Sequence, residues 1–231
     1  MSAIYLIRHG QAGFGEVVYD QLSKRGIEQS QTLGESFSRA GVQVEIAVCG
    51  SLKRHHQTAE FMLGAMRGVM QQWVDPDWNE YDHQDVITAY RPDYSDPAQL
   101  RKDVLSMPDP HRAFQNMFKQ AVARWMSGVH DGDYRETWAA FRSRCARALT
   151  ALHERVAGTG ESALVFTSGG PIAAVVKHLL DLSDVRCAEL SWTLVNCGIT
   201  KLVSGTRGVQ LAMLNGHTHF DGDYTGLLTY R

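Results

Sequence analysis

The sequence predicts an α/β fold: a three-layer α/β/α sandwich around a mainly parallel central sheet. Three observations predict it. Two short apolar β-type runs near the N-terminus are each followed by a helical pattern. A later run, "ALVFTSGG" at 163–170, repeats the arrangement with the helical "IAAVVKHLLD" directly behind it. The strand-like runs are short and continuously apolar, as expected of strands covered on both faces.

The elements follow in order. "AIYLI" at 3–7 is the first strand. "LSKRGIEQSQTLGESFSRAG" is a helix whose apolar face is marked by Leu22, Ile27, Leu33 and Phe37, with Gly41 as its stop. "VEIAVCG" at 44–50 is a second strand, and "KRHHQTAEFMLGAM" a second helix. Residues 81–135 interrupt the alternation: they hold four of the six prolines and read as short helices joined by loops. "ETWAAFRSRCARALTALHERVAG" resumes a helix, with Trp138, Phe141, Cys145, Leu149 and Leu152 as a stripe for core packing. Two β-type runs, "GITKLVSG" and "GVQLAMLNG", close the pattern. With no repeat or linker, residues 1–231 form a single domain carrying a helical insertion, a lid, at about 81–135.

Composition narrows the function. A chain of 231 residues, 44% hydrophobic and 21% charged, is an ordinary globular protein with enough length for a full core. A net charge of -2 gives no electrostatic case for nucleic acid or an anionic membrane surface. Cys49, Cys145, Cys187 and Cys197 are widely spaced without a C-x-x-C pair, which argues for free thiols and a reducing cytoplasm over a zinc site or disulfides. "MSAIYLIRHG" lacks the layout of a secretion signal, and no window approaches the roughly 18 to 20 apolar residues that span a bilayer. The expectation is a cytoplasmic protein.

Ligands of an open parallel sheet bind beyond the carboxyl ends of its strands. Here those ends carry Arg8-His9-Gly10, then Cys49-Gly50-Ser51 leading to Lys53, Arg54, His55 and His56, then Thr167-Ser168-Gly169-Gly170 at a helix start. Guanidinium forks match phosphate oxygens, and a helix N-terminus offers N–H groups to an anion. The predicted ligand is a phosphoryl group.

With these residues in place, the sequence resembles the histidine phosphatase superfamily, in its phosphoglycerate-mutase-like branch. The resemblance runs through "LIRHGQA", "LSKRGIEQSQTLG", "SLKRHHQTA", Glu80 in "WNEYDH" and the "TSGGP" strand end, nearly the whole chain apart from the insertion. It implies that His9 is a nucleophile forming a phosphohistidine and that Arg8 and Arg54 clamp the phosphoryl oxygens. It implies that Glu80 is the acid and base, with Asp82 and Asp85 as nearby rivals, and that Gly10, Gln11, Ser168 and Gly169 contact the substrate. No cofactor and no metal are implied. The chain departs from the pattern at Ser168, which stands where the family usually has a second histidine, and at Gly15, where many relatives have an asparagine. Both departures put catalytic efficiency in question.

A substitute histidine is one remedy. His55 or His56 could face the pocket, although a surface position at the helix start is the default. His83 is close to Glu80 in sequence. His217 and His219 alternate at a strand end so as to point the same way, without evident thiol or carboxylate partners for a metal. For Ser168 the plain alternative is an N-cap of the following helix. The lid aromatics Tyr90, Tyr94, Phe114, Phe118 and Trp125 are substrate contacts or, for most of them, packing. The expected function is metal-independent hydrolysis of a phosphomonoester, either a phosphorylated small molecule or a phosphoprotein. A weakened phospho-ligand binding module and a phosphoglycerate mutase are the alternatives.

Overall fold

In the computed structural model, residues 2–13, 20–66 and 71–230 are described. They divide into two compact units, one formed by Met1–Glu80 and Arg144–Arg231 and the other by Tyr81–Ser143.

The first unit is built on six strands: β1 (Ser2–Arg8), β2 (Ile46–Cys49), β3 (Gln71–Val74), β4 (Ala163–Thr167), β5 (Ile199–Gly205) and β6 (Gly208–Gly216), in the order β3-β2-β4-β1-β5-β6. The four strands from β3 to β1 run parallel, whereas β5 pairs antiparallel with β1 and β6 antiparallel with β5. The sheet is thus mixed with a parallel core. All five residues of β4, at its centre, are buried, which is why "ALVFT" shows no polar alternation.

Helices cover both faces. On one, α1 (Lys24–Arg39) and α2 (Lys53–Gly64) help enclose a core of Ile7, Leu33, Phe37, Ala47, Met62, Leu164 and Phe166. The helices approach so closely that a Cβ on Gly34 would lie 2.2 Å from the Met62 carbonyl oxygen. The buried side of α1 is more polar than the periodicity predicted: Gln29, Ser30 and Thr32 join Leu33 and Phe37, Ile27 is only half-buried, and Leu22 precedes the helix. Across the sheet lies α6 (Trp138–Val156). Its C-terminal half ties to two distant strands of the sheet: Arg155 bonds Gln71 on the edge strand β3, and His153 pairs with Ser204 on β5, one strand in from the other edge, at 2.7 Å. Helix α7 (Gly169–Leu180) follows β4, and its first eight residues are all buried. Helix α8 (Asp184–Thr193) packs against it.

The second unit is helical, with α3 (His83–Tyr90), α4 (Pro97–Leu105) and α5 (Pro110–Met126). Prolines at the first turns of α4 and α5 fall where no N–H partner is lost. The seventeen residues of α5 make it longer than the short helices expected. Trp125 is fully buried among Tyr81, Trp138 and Phe141, at ring distances of 4.7, 5.1 and 5.6 Å. Trp125, Phe118 and Tyr94 are therefore packing residues of this unit.

Candidate active site

The parallel register brings three strand ends level. Arg8 pairs with Thr167, the His9 N–H donates to the Thr167 carbonyl at 2.9 Å, and the Gly50 N–H donates to the Phe166 carbonyl at 3.0 Å. His9 is thus the first residue past β1, Ser168 the first past β4, and Gly50 the first past β2.

The chain around His9 is held from several sides. The Gly10 N–H donates to Thr58 Oγ1 at 3.0 Å, and Asn196 donates to the His9 carbonyl at 3.0 Å. The Gln11 N–H donates to Gln29 at 2.8 Å. Gly10 and Gly26 exist for close backbone approach: a Cβ on Gly10 would fall 2.5 Å from the Gly26 carbonyl oxygen, and one on Gly26 2.2 Å from that of Gln11. The His9 imidazole is then oriented locally, because its Nδ1 donates to the Gly10 carbonyl at 2.7 Å and leaves Nε2 with the lone pair. Burial, followed by the charges of Arg54 and Arg8 and by His55, holds its pKa well below the usual 6.5, against a smaller opposing effect of the Gly10 carbonyl. A buried imidazole with a free Nε2 lone pair, set beside two guanidinium groups, has the chemistry a nucleophile needs.

Both arginines are buried and braced. Arg8 Nη1 donates to the carbonyls of Leu194 and, at 2.8 Å, Tyr230. Arg54 Nη1 pairs with Asp20 at 2.7 Å, and the other Asp20 oxygen accepts the Lys53 N–H at 2.8 Å. Asp20 therefore orients Arg54 and also caps α2, whose own N-cap residue, Leu52, has no side chain able to do so.

Glu80 accepts the Gly170 N–H at 3.0 Å, so the α7 N-terminus holds this carboxylate. That corrects the expectation that the glycine turn leaves its N–H groups to the phosphate: at Gly170 the group is committed. Of the rivals, Asp82 caps α3 by accepting from Gln84 and Asp85, while Asp85 accepts the Arg135 N–H at 2.9 Å. His83 stacks edge-on against Tyr81 and Phe118.

The remaining histidines change the picture. His55 is not a surface residue at the helix start: it is fully buried, its ring centroid 5.9 Å from that of His9, and its Nε2 lies 2.7 Å from Ser168 Oγ. His56 is exposed. Ser168 occupies the N-cap position of α7, yet its side chain makes no capping bond because its oxygen meets His55. His217 and His219 do not alternate along a strand, since β6 ends at Gly216 and a 3₁₀ turn over Thr218–Phe220 follows. His217 Nδ1 donates to the Asn215 carbonyl at 2.6 Å, while His219 is buried against Phe220. Gly15 lies outside the described residues.

Asp20, Thr58 and Asn196 went unread in the sequence, and the inward turn of His55 was offered only as an alternative to a surface position. Only His55 left a signal, as part of a basic run directly after a predicted strand. Among the described residues no three His, Cys, Asp or Glu side chains form a metal-holding group, the four cysteines are free, and no helix is long and apolar enough to cross a membrane.

Comparison with known proteins agrees with this fold. The family model for the histidine phosphatase superfamily (branch 1) matches residues 4–217. A phosphoglycerate mutase of Candida albicans is 25% identical over 210 residues, covering 83% of each chain. Among solved structures, a phosphoserine phosphatase of Entamoeba histolytica in complex with 3-phosphoglyceric acid is similar with a TM-score of 0.62, 17% identity and coverage of 95% of this chain and 99% of that one. An alpha-ribazole phosphatase of Shigella flexneri gives a TM-score of 0.59 and 19% identity, over 93% of this chain and 96% of that one.

Proposed function

The chain belongs to the histidine phosphatase superfamily (branch 1), and from that premise we propose that it is a metal-independent phosphatase acting on a phosphomonoester through a phosphohistidine at His9. The observation that carries this reading is the setting of His9: buried, with Nδ1 tied to the Gly10 carbonyl, two buried arginines beside it, and burial and their charges holding its pKa well below 6.5. In the first step Nε2 attacks phosphorus in line, the Nε2–P bond forms as the P–O bond breaks, and Glu80 gives a proton to the departing oxygen. In the second, water attacks the phosphohistidine and gives a proton to Glu80, and the Nε2–P bond breaks to release phosphate. Arg8 and Arg54 stabilise the charge on the non-bridging oxygens in both steps. Gly10, Gln11, Ser168 and Gly169 would line the phosphate subsite.

The substrate class is a phosphorylated small molecule. Relatives named as phosphoserine and alpha-ribazole phosphatases support this choice over a phosphoprotein. The lid role of the helical insertion and a cytoplasmic location belong to the same proposal. The Candida relative keeps a mutase as the second reading. Incubation with p-nitrophenyl phosphate and, separately, 3-phosphoglycerate tests the set. Release of inorganic phosphate, insensitive to EDTA, is expected from the first; isomerisation of the second without phosphate release would establish a mutase. Absence of turnover on every phosphomonoester tried, with retained phosphate binding, would make the protein a binding module.

A further inference from the structure

The mechanism above gives no role to His55, which forms a buried polar pair with Ser168 beside His9. His55 and Ser168 come from different elements, α2 and the end of β4, and both are fully enclosed. Their contact is direct, 2.7 Å between Nε2 and Oγ. Several features of the surroundings are shaped to it. Gly50 provides the space for the imidazole: a Cβ there would lie 2.3 Å from His55 Nδ1 and 2.8 Å from Asn79 Oδ1. Ser168 gives up the capping bond its position invites and turns its hydroxyl to His55 instead. The pair also borders the phosphate subsite. The His55 and His9 rings are 5.9 Å apart, and a Cβ on Gly169, next to Ser168, would fall 3.8 Å from Arg8 Nε. A buried imidazole and hydroxyl bonded to each other across two elements are not needed to fill space, which an apolar pair would do without the desolvation cost.

We propose that His55 is a positioning residue for phosphoryl transfer, holding the Ser168 hydroxyl so that it donates to an oxygen of the phosphoryl group at His9. In this arrangement His55 Nε2–H donates to Ser168 Oγ, and the hydroxyl proton points to the phosphoryl oxygen. A hydroxyl that accepts a hydrogen bond is itself the stronger donor, so the pair does more than a lone serine. No proton leaves either residue. The neutral state needed for the arrangement agrees with burial and the neighbouring Arg54 charge, which hold the His55 pKa well below 6.5. The inference rests on the phosphotransfer reading of His9, and adds to it a residue on α2 that acts through Ser168.

The test compares the full-length protein with His55→Ala, His55→Gln, Ser168→Ala and the His55→Ala/Ser168→Ala double variant on p-nitrophenyl phosphate, with melting temperatures measured alongside. Each alanine variant is expected to lose about 10- to 100-fold in kcat with KM changed little, as for a misplaced donor. The double variant should be no slower than the slower single, because both substitutions remove one hydrogen-bonded unit. His55→Gln, whose amide can donate to Oγ from a similar place, should recover part of the kcat lost in His55→Ala. Ser168→Ala with wild-type kcat overturns the proposal, as do single effects that multiply in the double variant. So does His55→Gln performing no better than His55→Ala when both are folded. A wild-type protein that neither turns over the substrate nor labels His9 overturns the functional reading and this inference together. Wild-type turnover with indifferent His55 and Ser168 variants overturns this inference alone.

Discussion

The ends of β1 and β4 lie side by side in register, yet they carry their chemistry differently. At β1 three consecutive residues suffice: Arg8 contributes charge, His9 the imidazole, and Gly10 the carbonyl that orients it. At β4 the local residues are a hydroxyl and two glycines, and the imidazole comes from α2, 113 residues earlier in the chain. The first arrangement is delivered by the backbone and is visible as a tripeptide. The second exists only after folding, and in the sequence it is two unrelated residues. A chain can therefore lack a histidine at an expected strand end and still bring one from a helix to within 5.9 Å of His9, ring to ring.

The sharpest way to break the comparison is at β1. His9→Ala should remove about 1,000-fold or more of phosphatase activity, as loss of a nucleophile does, and leave the melting temperature close to wild type. Steady-state kinetics on the folded variant check this. At the β4 side, Gly50→Ala puts a methyl group into the space of the His55 ring, 2.3 Å from Nδ1. The ring must shift or the strand end must open, for an expected loss of about 1 to 3 kcal/mol in denaturant unfolding. Unchanged stability and activity in that variant would mean the His55 position is not tightly held.

A smaller effect sharpens the role of the support around Arg54. Asp20→Asn keeps the shape but removes the charge that orients Arg54, so kcat/KM should fall about 10-fold, or about 1.4 kcal/mol. An equal activity would show that Arg54 needs no such brace. A separate effect, on stability and not on catalysis, concerns acid. His9, His55 and His219 all have folded-state pKa values below the ordinary 6.5, His219 at about 4. The unfolded chain therefore binds more protons than the folded one below 6.5, so stability is lost as pH falls. For His219 the loss runs from 6.5 down to about 4, at no more than about 1.4 kcal/mol per pH unit. His219→Gln should flatten the stability–pH slope by up to one proton in that window, measured by urea unfolding at several pH values.

The parallel core of the sheet was legible because β1, β2 and β4 each carry a continuous apolar run, and the helices behind them have glycine or polar starts. β3 was not: "QQWV" is an exposed edge strand, without the apolar run that marked the others. α8, also unread, buries little beyond Cys187 and shows no wide apolar face. In the site, Arg8, His9, Arg54 and Glu80 were named from the motif, and all but Glu80 are buried. The bracing residues were not legible for a common reason. Asp20, Thr58 and Asn196 are ordinary polar residues in sequence, and their partners are set only by the tertiary approach of α2 and the β1 end.

The central claim is that His9 carries the phosphoryl group, and trapping that group tests it most directly. The protein is mixed briefly with p-nitrophenyl phosphate, quenched in base, digested and analysed by mass spectrometry. The account predicts one phosphorylated peptide, containing His9, whose label survives base, is lost in mild acid and is absent from His9→Ala. A base-stable, acid-labile label on another histidine, or a label that persists in His9→Ala, would contradict it.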